Sequence, residues 1–436
     1  MVGIAPLAVW KDLEFARKWV EQGYGGEMHY LQNPKRDDPR QVLPSAQSVV
    51  CVGLVYNAPL PYSTEIANLA PNSSTLLVGK GQPPHEEDSG ETPTRGWISR
   101  YAWGQDYHEI LRIKLEDLRK AIENVAPGVE TRVYVDTGPV VERAFARYSG
   151  IGWMGKNTCL INQTKGSWFF LGVLLTNLSL EPDLPAPDRC GSCTRCLDAC
   201  PTGALVKPYV MDASRCIAYF TIELKGSIPE PYRPAIGLNV FGCDICQDVC
   251  PWNNRSEKSE AGSQNRAASH QLSAFSAQPA EKGFGRAGVS TTTLPEFQPI
   301  EITLSDCSDN SVPSAGNQCS NAKHISAVSG SDPAQSPTRT LSLFNPPLDA
   351  LAQLSEENFR RAFTRSPIQR AKYRGWLRNL CVVMGNSGGR RFIPKLEELS
   401  RHRDPVVREH AQWALARLNG SRPPSTLPLD NSRHNE

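Results

Sequence analysis

The stretch CGSCTRCLDACPTGALV, residues 190–206, sets four cysteines within eleven positions and follows the last with a proline. A shorter version returns as CDICQDVCPW at residues 243–252. Eight of the chain's thirteen cysteines fall between positions 190 and 250, with Cys216 between the two runs. The start, MVGIAPLAVWKDLEF, has no basic segment leading into a long apolar one, so no signal peptide is expected. The longest apolar runs, such as WFFLGVLL at 168–175, are too short to span a bilayer. The expected location is therefore the cytoplasm, away from membranes. Thiols stay reduced there, and a cluster of this density points to metal rather than disulfides. A formal net charge of +2 over 436 residues excludes no partner class by itself.

The spacing is specific. Cys190, Cys193, Cys196 and Cys200-Pro201 reproduce the C-x2-C-x2-C-x3-C-P run of bacterial two-cluster ferredoxins. There three thiolates hold one [4Fe–4S] cube and the fourth reaches across to a second. The second run supplies the mirror image with Cys243, Cys246 and Cys250-Pro251, and Cys216 replaces its missing first cysteine. The expected sets are Cys190, Cys193, Cys196 and Cys250 on one cube, and Cys200, Cys216, Cys243 and Cys246 on the other. Structural zinc is the alternative. It favours paired CxxC knuckles or histidine ligands, and no histidine lies between 109 and 269.

Outward from the cysteines the chain divides by composition, and the expected fold class is multidomain α+β. Residues 1–186 read as an α/β domain, with apolar β-branched runs at 48–56, 131–136 and 168–175 and a helix at 107–125. Residues 61–96, rich in Pro, Ser, Gly and Thr, read as a long loop. A two-[4Fe–4S] ferredoxin-like domain spans 187–253. Residues 254–341, dominated by Ser, Asn, Gln, Ala and Pro, are expected to be a disordered linker whose Cys307 and Cys319 are free thiols. A helical domain follows at 342–420, then a tail at 421–436. In RDPVVREHAQWALARL, 403–418, Asp404 is placed to cap and Pro405 to open a helix with Val407, Ala411, Ala414, Leu415 and Leu418 on one face, as in a HEAT-type pair. Between Arg360 and Lys395 stand ten Lys or Arg and no Asp or Glu, a pattern suited to phosphate neutralisation. Arg370, Lys372, Arg374 and Arg378 are the candidate phosphate contacts, the alternative being a solvated face.

The stretches RYAWGQDYHEIL, VDTGPVVERAFARYSGIGWMGKNTCLIN, GSWFFLG, CGSCTRCLDACPTGAL, RCIAYFTIELKG and FGCDICQDVCPWN, in that order, closely resemble the epoxyqueuosine reductase family. The resemblance covers residues 40–255 densely and resumes from 344 to 420. It implies an enzyme that removes the epoxide oxygen of epoxyqueuosine in the tRNA anticodon, with base-off cobalamin in the N-terminal domain and two [4Fe–4S] clusters. It also implies a HEAT-like C-terminal domain that engages tRNA, a low-potential donor of flavodoxin or ferredoxin type, and a monomer. By resemblance Asp136, at the end of strand TRVYVD, is the proton donor and lies at the cofactor, and such a role calls for a raised pKa. Read alone, it could equally cap the turn into Gly138-Pro139. Tyr107 and His108 could position it or simply pack. By resemblance Trp153, Lys156, Asn157 and Leu160 of the GIGWMGKN region line the cobalamin site, with Leu171 behind. That loop fails the Walker A spacing, and D-x-H-x-x-G, the mark of a histidine-ligated cobalamin, is absent.

Two features depart from the family: its leading helix is missing before VGIA, and 254–341 is long. Two rival readings are a corrinoid reductive dehalogenase-like enzyme, and a ferredoxin-type electron-transfer module without catalysis. The first lacks its export signal here and has no use for a basic tail. The second leaves the acid and the glycine-rich loop without purpose.

Overall fold

The computed structural model describes residues 1–8, 10–69, 93–254, 290–304 and 339–420. Cys307, Cys319, the 421–436 tail and the remainder of the 61–96 and 254–341 segments lie outside the described residues. In chain order the first unit comprises β1 (Val2–Pro6), α1 (Lys11–Glu21), β2 (Ser48–Val55), α2 (Ser63–Leu69), β3 (Trp97–Ile98), α3 (Tyr107–Val125), β4 (Thr131–Tyr134), α4 (Glu142–Tyr148), β5 (Trp153–Met154), β6 (Leu160–Ile161) and β7 (Phe169–Thr176). Its main sheet runs β1-β2-β7-β4, and every neighbouring pair is antiparallel. The α/β expectation for this unit is thereby corrected to α+β. The reason is physical. An unbroken apolar run such as SVVCVGLV reports that both faces are covered, not which way the next strand runs. Val49, Cys51, Val173 and Leu175 pack on one side with Phe145 and Ala146 of α4. Val50, Phe170 and Leu174 pack on the other with Leu111 and Leu115 of α3.

Next come α5 (Arg195–Asp198), β8 (Leu205–Lys207), β9 (Val210–Met211), β10 (Asn239–Phe241) and α6 (Ile245–Asp248), the two short helices lying inside the two cysteine runs. Between the runs, Cys216 leads into a π-helical turn, Tyr219–Glu223. Strand β10 pairs in parallel with β3, so the cysteine region is stitched to the first unit.

The linker expectation is corrected in part. Strand β11 (Glu301–Leu304) pairs antiparallel with β12 (Arg339–Ser342), and Phe297, Ile302 and Leu341 are buried. Likewise Ser63–Leu69, inside the expected 61–96 loop, is helical. Average composition over a long polar window hides a short apolar island such as LPEFQPIEITL. The backbone ties are specific: Ile300 N–H donates to Trp103 O at 2.9 Å and Leu343 N–H to Ile300 O at 3.1 Å.

The C-terminal unit holds α7 (Leu348–Ala352), α8 (Glu356–Ala362), α9 (Lys372–Ser387), α10 (Ile393–Leu399) and α11 (Pro405–Leu418). Asp404 caps α11, its carboxylate accepting from Val406 N at 2.9 Å, with Pro405 at the first helical position. Helix α9 is buried from Trp376 through Gly385 and crosses α11 so closely that a Cβ on Gly385 would stand 2.8 Å from Ala414 Cβ. Trp97, Trp103, Phe220, Phe241, Leu343, Trp376 and Ala414 belong to one continuous core. The helices therefore share their interior with the segment between the cysteine runs, and a division at 253 and 342 cuts through it.

Candidate active site

Strand β4 ends in a tight turn. Thr137 N–H donates to Val135 O at 2.6 Å, and between them Asp136 has φ +55. A three-residue turn with positive φ at a non-glycine is strained, and aspartate tolerates it better than most residues. Arg36 braces the turn with a 3.0 Å bond to Gly138 O. The turn aims the carboxylate at groups from the first unit and the C-terminal unit. Tyr107 Oη donates to Asp136 Oδ2 at 2.9 Å, and His108 Nε2 stands 3.3 Å from the same oxygen. Arg370 of the C-terminal unit lies 3.7 Å away and pairs at 2.7 Å with Glu223 of the π-helical turn.

The charges are settled by this geometry. Partial burial alone would raise the Asp136 pKa, but hydrogen bonds from His108 and Tyr107 and the charges of His108 and Arg370 overcome it and hold it at about 2. The expectation of a raised value is corrected: Asp136 stands as a carboxylate whose side chain is 51% exposed. Burial works against charge on His108 too, yet bonds to Asp106 and Asp136 raise it to about 9, so it is an imidazolium at neutral pH. The mobile proton therefore resides on His108. Asp106 fixes that ring, accepting from the His108 backbone at 3.0 Å and facing Nδ1 at 2.7 Å.

The eleven described cysteines are free thiols. Burial raises Cys250 to about 12, and its sulfur neighbours include Cys190 and Cys196. Burial likewise raises Cys243, whose neighbours include Cys216 and Cys200, and Cys246 has Cys243 and Cys216 beside it. Cys159 is also a neighbour of both Cys250 and Cys246, so sulfurs of the two runs and of the glycine-rich region lie within electrostatic reach of one another, and thiolates are the donors iron–sulfur cubes use.

The glycine-rich region serves this framework. Lys156 Nζ donates to Gly191 O at 2.6 Å and Cys193 O at 3.0 Å. Asn157 Nδ2 donates to Cys246 O at 3.2 Å while its Oδ1 accepts from Cys159 N at the same distance. Trp153 is buried with Ile161 and Cys250, Leu160 lies in the sheet core, and Leu171 packs beside it. In the structure these side chains pack in the core and tie down the cysteine loops. Both His108 nitrogens are engaged by carboxylates, Nδ1 by Asp106 and Nε2 by Asp136.

The four candidate phosphate contacts separate. Arg370 enters the Asp136 site. Arg378 is 1% exposed and donates to the carbonyls of Phe220, Leu224 and Gly226. Arg374 pairs with Asp404 at 2.7 Å, and Lys372 is exposed. The basic stretch is neutralised from outside its own window: Glu356 and Glu357 meet Arg360 and Arg361, Asp349 meets Arg391, and Glu398 meets Lys395. Sequence reading missed Glu223, Tyr30, Arg36 and Cys159, the last in hydrogen-bond contact with Cys246. A lone carboxylate in the apolar YFTIE was the available signal for Glu223.

Fold and site together define a multidomain α+β iron–sulfur oxidoreductase. Residues 36–137 match a family described as "Epoxyqueuosine reductase QueG, DUF1730", and residues 189–253 one described as "4Fe-4S double cluster binding domain". An epoxyqueuosine reductase of Pseudomonas aeruginosa is 35% identical over 423 residues, covering 95% of this chain and 90% of the relative. That of Synechocystis is 45% identical over 258 residues, 58% of this chain and 80% of the relative. A crystal structure of epoxyqueuosine reductase with a tRNA-Tyr epoxyqueuosine-modified stem loop superposes with TM-score 0.65 at 27% identity, covering 96% of this chain and 86% of that one. The chain belongs to the epoxyqueuosine reductase family. Among the described residues no helix is long and apolar enough to cross a membrane.

Proposed function

We propose that the protein reduces epoxyqueuosine in the tRNA anticodon to queuosine, with Asp136 as the proton donor, two [4Fe–4S] clusters and base-off cobalamin. Deoxygenating an epoxide to an alkene consumes two electrons and two protons and releases water. Cobalamin, when bound, supplies low-potential electrons at carbon, and the clusters replenish them. Cys190, Cys193, Cys196 and Cys250 hold one cluster; Cys200, Cys216, Cys243 and Cys246 hold the other. The protein's own task is the proton. His108 stores it at neutral pH, and Asp136 takes it when bound substrate removes water from the carboxylate and strengthens the penalty on its charge. The observation that carries the reading is the convergence of Tyr107, His108 and Arg370 on Asp136 at a strained turn. A low-potential flavodoxin or ferredoxin is the donor, and the enzyme works as a cytoplasmic monomer.

The test loads the anaerobically purified protein with cobalamin, adds a low-potential reductant and an anticodon stem loop carrying epoxyqueuosine, and weighs the released nucleoside. Loss of one oxygen that depends on cobalamin is expected. Asp136→Asn should keep its iron and cobalamin and lose most turnover, about 100-fold or more. Normal turnover by that variant would remove Asp136 from the chemistry.

A further inference from the structure

Arg370 has no role in the reading above beyond its charge. Its placement is more particular. It sits in the short 3-10 segment Pro367–Ala371, ahead of α9, and the next residue but one, Lys372, has φ +59, a strained value for a lysine. Lys225 Nζ donates to Arg370 O at 3.3 Å, and its guanidinium lies 5.9 Å from the Tyr30 ring centre. Nearby, Asp106 N–H, at the cap of the helix that carries Tyr107 and His108, donates to Arg365 O at 2.7 Å. Backbone and side chain thus both tie the C-terminal unit to the catalytic acid.

We infer that Arg370 is a positioning residue of the active site, holding the Asp136 carboxylate in place from the C-terminal unit, rather than a contact for tRNA phosphate. The inference rests on Asp136 being the donor. The Arg370 guanidinium pairs closely with Glu223 at 2.7 Å, which anchors its charge 3.7 Å from the Asp136 carboxylate, and a planar guanidinium can face two carboxylates at once. Lysine, a point charge on a flexible stem, replaces that only in part. Around Asp136 the other ionisable groups are Tyr107, His108, Tyr30, Tyr101, Arg36, Glu142 and Glu223. Arg370 is the one that arrives from the helical C-terminal unit.

The experiment uses cobalamin-loaded protein with both clusters, the epoxyqueuosine stem loop, and the variants Arg370→Gln, Arg370→Lys, Asp136→Asn and Arg370→Gln/Asp136→Asn. Arg370→Gln is expected to lower kcat about 10- to 100-fold at unchanged stem-loop Kd and unchanged salt slope, with Arg370→Lys intermediate. The double variant should be no slower than Asp136→Asn alone. Iron content and melting temperature of the lysine variant guard against misfolding. A loss carried by Kd, with the salt slope smaller by about one, would make Arg370 a phosphate contact and overturn the inference. So would wild-type kcat in Arg370→Gln while Asp136→Asn is inactive. Normal turnover in Asp136→Asn defeats the donor reading itself, and is read without any arginine variant.

Discussion

The two cysteine runs align residue for residue, CTRCLDACP at 193–201 against CDICQDVCP at 243–251, yet the protein treats them differently. Thr194 and Asp244 both precede the short helix. Thr194 is exposed, and its hydroxyl donates to Asp198 Oδ2 at 2.8 Å. Asp244 is 1% exposed and accepts from Trp97 Nε1 at 3.0 Å, Ser99 Oγ at 2.5 Å and Arg100 N at 2.7 Å. At the next matched carboxylate, Asp198 is exposed, whereas Asp248 is buried and accepts from Ser63 Oγ and Thr64 N. The second run is part of the catalytic unit's interior; the first is fastened to it chiefly by Lys156. Ligand spacing dictates how a cube is held. It says nothing about what the loop is bolted to.

Three tests sharpen or break that contrast. The largest effect is expected at Asp244→Ala, which orphans three donors and leaves the buried Arg100 without its nearby countercharge. It should cost about 3–5 kcal/mol in thermal or chemical denaturation, against under about 1 kcal/mol for Thr194→Ala. Equal losses would erase the distinction. Next, burial, then the charge of Asp244, pushes Asp248 up to about 7. A carboxyl whose pKa is raised on folding stabilises fully below its unfolded value, near 4, and loses that contribution as pH rises through 7. Asp248→Asn should therefore flatten the fall in melting temperature between pH 4 and 7. An unaltered profile in the buried variant would show the group is not protonated in the fold. The smallest effect belongs to Lys156→Met. Losing two carbonyl contacts of a charged group should cost about 1.5–3 kcal/mol locally, read as faster loss of the first cluster's EPR signal in air with the second retained. Parallel loss of both signals would mean that the loops open as one.

The thiols were legible in the sequence because their spacing along the chain is itself the ligand geometry. The position of Asp136 at the end of β4 was legible from the strand pattern, whereas its role came only from the family resemblance. The antiparallel order of β2, β7 and β4 was not, since a doubly covered strand looks the same in either direction. Nor was the site's second wall: Glu223 and Arg370 are brought together by a core that also joins Trp103, Phe241 and Trp376, and no local pattern announces such a meeting. The pairing of the basic stretch was hidden for the converse reason. Its countercharges, Glu223, Asp349 and Asp404 among them, stand outside the window in which the charge was counted.

His108 and His410 repeat the contrast within one residue type. Burial, with Arg233 adding to it, lowers buried His410 to about 4, and its Nε2 accepts from Ile228 N at 3.1 Å. Protonating it on acidification breaks that bond, so its contribution is lost as pH falls from its unfolded value near 6.5 toward 4. The His108 contribution runs the other way and fades as pH climbs toward 9.

The interior shared by the C-terminal helices and the segment around Phe220 also sets a timetable. Arg378 meets Phe220 O across 158 positions of chain. On the ribosome, all eight cysteines of the 190–250 window emerge on the order of ten seconds before α11 does, at ordinary rates of synthesis. During that interval they have partners in sequence but no finished chamber. The segment around Phe220 therefore reaches its finished packing only once α9 and α11 have been made, and a chain ending ahead of those helices lacks the residues that close this interior.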